Sequence, residues 1–151
     1  MGKHPFPAEE FHAIYSRVPR LTVEVVCLTD RGVVLTRRSI EPCVGQWHLP
    51  GGTVRFGEHL RDAVARVAHD ELGVHVDVGR QIGYIEYPVM LGNGYQGWPV
   101  GIAFEVSVAG GELIGGDQSD HVGCFRSVPP DTLVEQGDFL RGYLAGAFVG
   151  S

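Results

Sequence analysis

The chain has 151 residues, 44% hydrophobic and 20% charged, with a net charge of −6. That length fits one domain, residues 1–151, with a core of its own. The acidic balance excludes the basic surface that duplex nucleic acid requires, and no apolar run approaches the roughly 18 residues of a membrane span.

The N-terminal stretch MGKHPFPAEEFHAIYSR has no apolar export segment, so the expected compartment is the cytoplasm. Ala8 to Arg17 reads as a short helix with Phe11, Ile14 and Tyr15 on one face. Leu21 to Leu28 is rich in β-branched residues and predicts a strand, Asp30-Arg31-Gly32 a turn, and Val33 to Thr36 a returning strand. Trp47 to Leu49 is a short extended piece closed by Pro50 and two glycines. Glu58 to Leu72 is the one long helix, stopped by Gly73 as a left-handed cap. Ile82 to Leu91 and Trp98 to Val108 read as strands around a Gly92-Asn93-Gly94 hairpin turn. His121 to Arg126 is another strand, and Phe139 to Val149 a closing helix begun near Asp138. The greasy terminal segments allow a homodimer. Cys27, Cys43 and Cys124 form no CxxC pair and are expected to be buried, reduced thiols.

This order of elements predicts an α/β (α+β) fold with a mixed central β-sheet sandwiched between helices. At about 100° per residue, Leu60, Val64, Val67 and Glu71 of the long helix share a sector roughly 60° wide. A carboxylate on an apolar face is costly unless it meets an arginine, backbone N–H donors or a metal ion. Gly51-Gly52, just upstream, let backbone approach such a site, and carboxylate with carbonyl oxygens suits Mg²⁺ or Mn²⁺. A helix-end carboxylate bonded to loop amides or to arginine is the plainer alternative. Arg66 has a plain reading too, as a surface ion pair with Glu58, Asp62 or Asp70.

Gly52, five residues, Glu58, seven residues, Arg66 and then Asp70-Glu71-x-Gly73-Val74 resemble the Nudix box, G-x5-E-x7-R-E-U-x-E-E-x-G-U with U aliphatic. The lead-in Trp47-x-Leu49-Pro50-Gly51-Gly52 also resembles the family's, and the family resemblance implies an αβα sandwich over most of the chain. Three positions depart: Val67 replaces the Glu after the Arg, Asp70 the first Glu of the pair, and Ala68 the aliphatic residue between. Loss of the Glu beside the Arg is shared with the GDP-mannose mannosyl hydrolases. Phe11 to Leu21, then Glu24, Arg38, Pro42, Gly45 and Trp47, follow that branch's order of landmarks.

The resemblance implies one Mg²⁺ held by Gly51, Glu71 and Gln118, with Asp70 a further carboxylate beside them. It implies displacement by water at the sugar C1 of a nucleotide sugar such as GDP-mannose, releasing the nucleoside diphosphate. Arg38 and Arg66 would bind the diphosphate, since guanidinium matches phosphate oxygens bidentately. Glu24 stands where the branch has an acidic residue near substrate, a plain strand-surface Glu being the alternative. The branch's base is a His directly after the Gln; here that position is Ser119, and His121, on the same face of a strand, is the substitute, with a surface His as the alternative. Thr53 replaces an Arg after the glycines, and the segment GNGYQGW does not match the branch's substrate loop. Tyr84, Tyr87, Tyr95 and Trp98 are candidates for stacking a base or for plain packing. Two other readings stay open: a pyrophosphatase in which Asp70 and Glu71 suffice and water attacks phosphorus, as on ADP-ribose, and a nucleotide-binding module whose altered box has lost catalysis.

Overall fold

In a computed structural model, described over residues 4–39, 43–92, 94–114 and 119–149, the chain forms α1 (Ala8–Tyr15), β1 (Pro19–Thr29), β2 (Gly32–Arg38), β3 (Trp47–His48), β4 (Gly51–Thr53), α2 (Leu60–Leu72), β5 (Val74–Glu86), α3 (Pro88–Gly92), β6 (Trp98–Gly111), β7 (Ser119–Phe125) and α4 (Val134–Val149). The strands make one seven-stranded mixed sheet with the order β3-β2-β1-β6-β5, with β4 added to β1 and β7 to β2. β1 runs parallel to β6 and antiparallel to its other partners. No helix among the described residues is long and apolar enough to cross a membrane.

The sheet is covered on both faces, which is why the middle of β1 is buried without a break from Thr22 to Cys27. Val23, Val25 and Cys27 pack with Val34 and Phe104 against Val64, Val67, Ala68 and Leu72 of α2. Val26, one step along and therefore on the opposite face, packs with Leu35, Leu49, Ile85 and Ala103 against Leu140 of α4. The expected αβα sandwich is thus the observed one.

Gly73 caps α2 at φ 71°, its N–H bonded to the His69 carbonyl at 2.9 Å. A side chain there would be strained and would strike Ile114. The long helix starts at Leu60 rather than Glu58. Three expectations need larger correction. Residues 88–92 are helix, not strand: β5 ends at Glu86, and Pro88, whose fixed φ suits a first helical position, starts α3. β5 begins at once after the cap, its alternation Val74, Val76, Val78 turned inward between exposed His75 and Asp77. α4 begins at Val134, five residues before the expected Phe139. Of the cysteines, all three are free, but only Cys27 is fully buried.

Candidate active site

A cavity of about 750 Å³ opens between β1, β4, the N-terminus of the chain and the helices. Glu71, from the buried face of α2, is one of its walls and is only 7% exposed. Its Oε2 accepts the Gly51 N–H at 3.2 Å, one of the compensations expected for a carboxylate in that position. Burial pushes its pKa up to about 8, and the Glu24 and Asp70 carboxylates push in the same direction, against the Gly51 N–H. Val67, on the same helix face, is 2% exposed and packs against the glycine pair: a Cβ on Gly52 would lie 2.9 Å from Val67 Cγ2.

Glu24 is not a strand-surface residue. It is 5% exposed, lines the cavity, and stands opposite Gly51 in the β1–β4 register. Two glycines make room for it. A Cβ on Gly51 would come 2.4 Å from Glu24 Oε2, and one on Gly101 2.5 Å from Oε1. Burial raises the Glu24 pKa to about 7, while hydrogen bonds from Tyr87 and Thr22 pull the other way. Those donors reach Oε1 at 2.9 Å and 3.2 Å.

Arg66 is half-buried and held by several partners. Its Nε and Nη2 bond the two Glu58 oxygens at 2.8 Å and 2.9 Å, Nη2 also donates to the Thr53 carbonyl at 2.9 Å, and Asp70 lies 4.0 Å from Nη1. The pair holds Glu58 below the usual carboxylate range. Glu58 in turn accepts the Arg55 N–H at 3.0 Å, so this ion pair ties the loop after β4 to the helix. Arg38, half-buried at the end of β2, lines the cavity with Asp70. His48 lines it as well; burial lowers its pKa to about 4, and its Nδ1 sits 2.8 Å from the Leu49 carbonyl.

The structure therefore brings Glu24, Arg38, Gly51, Arg66, Asp70 and Glu71 to one cavity. His121 is not among its lining residues: it is exposed on β7, opposite Arg37 of β2. Gln118 lies outside the described residues.

Other groups here were not expected from the sequence. Gln136 of α4 and Tyr87 form a hydrogen-bonded chain to Glu24. His4, Phe6 and Phe11 also line the cavity, together with Tyr95 and Arg20. The Arg20 guanidinium lies 5.5 Å from the Phe11 ring centre and 5.9 Å from that of Tyr95, bonds the Tyr95 hydroxyl, and donates to Thr53 Oγ1 at 2.8 Å. Of the four aromatic candidates for stacking, Tyr87 is buried in the core, Tyr84 and Trp98 are exposed outside this cavity, and Tyr95 alone forms part of its open wall. A glycine inside the apolar strand Pro99–Phe104 was the available signal for close approach, and it marks the place of Glu24.

Among the described residues no three His, Cys, Asp or Glu side chains are grouped to hold a metal ion by themselves. The oxygen donors at the cavity are the Glu71 carboxylate and the Gly51 backbone, with Asp70 and Glu24 on the same lining. Two inward carboxylates with raised pKa values next to a glycine backbone fit a hard divalent cation, whose charge would offset their mutual repulsion.

The chain has relatives of several kinds. The chain is 43% identical over 81 residues to the low-salt glycan biosynthesis protein Agl8 of Haloferax volcanii, covering 54% of this chain and 52% of that protein. It is 31% identical over 107 residues to the ADP-ribose pyrophosphatase of Methanocaldococcus jannaschii, covering 71% of this chain and 62% of that protein. The chain thus spans between half and two thirds of the length of these curated relatives. Among solved structures, a NUDIX hydrolase from Nitrosomonas europaea superposes with a TM-score of 0.74 over 88% of this chain and 74% of that one, at 21% identity, which speaks to the fold. The NUDIX domain family itself matches residues 18–144, a span that holds the box, the whole sheet and most of α4, and the chain belongs to that family.

Proposed function

We infer that this protein hydrolyses a small nucleoside diphosphate derivative, a nucleotide-linked sugar such as GDP-mannose being the leading class. The observation that carries the reading is the meeting of Glu71 and Glu24 at Gly51, on the wall of a cavity large enough for such a ligand. Glu71, Gly51 and Asp70 would hold Mg²⁺ or Mn²⁺, with Gln118 as a further ligand. That cation supplies positive charge to the departing diphosphate. Arg38 orients the diphosphate from the cavity wall. Arg66 acts through Glu58 and the Thr53 carbonyl, keeping the glycine loop seated on α2. Phe11, Tyr95 and Arg20 offer the planar surfaces that a base can stack on.

The base that takes the proton of the attacking water is Glu24 in this reading, because its carboxylate faces the cavity and His121 does not line it. The name of the Haloferax relative, a glycan biosynthesis protein, supports a sugar-bearing substrate; that of the Methanocaldococcus relative, an ADP-ribose pyrophosphatase, supports attack at phosphorus. A panel of nucleoside diphosphate derivatives with Mg²⁺ and Mn²⁺, run in heavy-oxygen water, separates the two. Label in the sugar marks attack at carbon, and label in the phosphate marks attack at phosphorus. No metal-dependent turnover on any panel member would refute hydrolysis and leave a nucleotide-binding module.

A further inference from the structure

Glu24 is held by a chain of hydrogen bonds whose direction is fixed from its far end. The Leu49 N–H can only donate, and it donates to Gln136 Oε1 at 2.6 Å. That contact sets the amide orientation of Gln136, so its Nε2 faces the Tyr87 oxygen, at 2.9 Å. The phenol oxygen is thereby an acceptor, and its own proton goes to Glu24 Oε1, 2.9 Å away. Thr22 Oγ1 reaches the same oxygen at 3.2 Å. Tyr87 and Gln136 are 5% and 4% exposed, so this order is set in the interior and not exchanged with bulk water. Oε1 thus accepts from Tyr87 and shares the single Thr22 proton with the Val100 carbonyl, 3.4 Å from Thr22 Oγ1, and Oε2 is turned to Gly51.

We propose that Tyr87 and Gln136 are positioning residues for the reaction, which present Glu24 Oε2 to the cavity as the acceptor of the attacking water's proton. The proposal rests on the hydrolytic reading above for its chemistry, but the positioning is a property of the apoprotein. It gives α4 a role at the site: the first turn of α4 carries Gln136, and the Trp47 N–H and carbonyl clamp that turn through Asp131 and Leu133 at 2.8 Å and 2.9 Å.

Two variants test it. Tyr87→Phe deletes the donor to Glu24 and, with it, the acceptor of the Gln136 Nε2 proton. Gln136→Glu keeps the shape but replaces the amide donor with an acceptor, which draws the Tyr87 proton away from Glu24. Crystal structures of both variants should show the Glu24 carboxyl rotated from its place against Gly51. On a hydrolysed substrate, both should lower kcat by about 10²-fold, the scale on which small misplacements act, with KM changed by less than about threefold. The double variant should cost no more than the worse single. A carboxyl that stays in place in both variants overturns the positioning role. A displaced carboxyl with unchanged kcat overturns its relevance to the reaction. A loss seen in KM alone overturns it too, and marks Tyr87 as part of substrate binding. If the wild type turns over nothing on the panel, the hydrolytic reading falls, and the displaced carboxyl alone upholds the positioning.

Discussion

The Glu71 carboxylate accepts the N–H of Gly51 at 3.2 Å, so one glycine joins the buried face of α2 to the strand beside β1. The same residue lies directly across from Glu24, close enough that any side chain on it would displace that carboxylate. Two acids held this way have raised pKa values, about 7 for Glu24 and about 8 for Glu71.

Glu71→Gln keeps the hydrogen bond to Gly51 and removes the charge. Turnover should fall by roughly 10²-fold or more, and near-wild-type turnover would show Glu71 to be structural. In the metal-free protein the sign of the stability effect is opposite. The folded pKa of about 8 lies above the ordinary 4.5, so burial of the neutral acid stabilises fully below pH 4.5 and that contribution is lost as pH rises toward 8. Thermal unfolding of the metal-free wild type should therefore lose Tm across that window, Glu71→Gln should lose less, and Mg²⁺ or Mn²⁺ should restore the wild type only.

Glu24→Gln and His121→Gln rank the two candidate bases. Loss of a positioned base costs roughly 10²–10⁴-fold in rate. That loss is expected for Glu24→Gln, with His121→Gln within about threefold of wild type, since His121 is exposed and off the cavity wall. The reverse ranking, measured as kcat at saturating metal, would return the role to β7.

Val67→Glu tests whether the missing box carboxylate is a loss or a design. Val67 is 2% exposed among apolar side chains and touches the space beside Gly52. A third inward acid next to Glu71 and Asp70 should lower Tm and should not raise turnover. A large gain in phosphate-directed hydrolysis would instead identify a decayed multi-metal site.

Arg66→Lys and Glu58→Gln should behave alike if the pair seats the glycine loop. Lysine cannot supply the two donors to Glu58 and the one to Thr53 that the guanidinium fork supplies. Both variants should reduce kcat/KM by about tenfold with similar losses of Tm. A loss confined to Arg66→Lys, seen mainly in KM, would place Arg66 on the diphosphate.

The α2 face was legible because its period is local: Val64, Val67 and Glu71 recur at helical spacing, and the burial of Glu71 follows from that alone. The Gly73 cap and β1 were legible for the same reason. The Glu24 environment was not. Its donor Tyr87, the Gln136 amide that donates to that phenol, and the room left by Gly101 lie far apart in sequence and meet only once the sheet and α4 are in place. Gln136 was hidden further because Gly137 interrupts the start of α4, which moved the expected helix onset past it. β5 was read too late because its first alternating residues follow the cap without a loop.

The parallel pairing of β1 with β6 has a consequence for how the chain acquires its site. Pro19 to Cys27 wait for residues 98–106, and Gln136 arrives later still. Pairings of such sequence separation are the slow part of folding, since a long loop must close before they gain anything. During synthesis the first two strands can meet, and α2 can form, while Glu24 stays hydrated and charged. Only when β6 docks and α4 closes over Tyr87 is that acid withdrawn from water. The reacting groups are thus assembled last, and a ribosome-bound chain that has not yet released α4 should show a folded β1–β2 hairpin without a competent cavity.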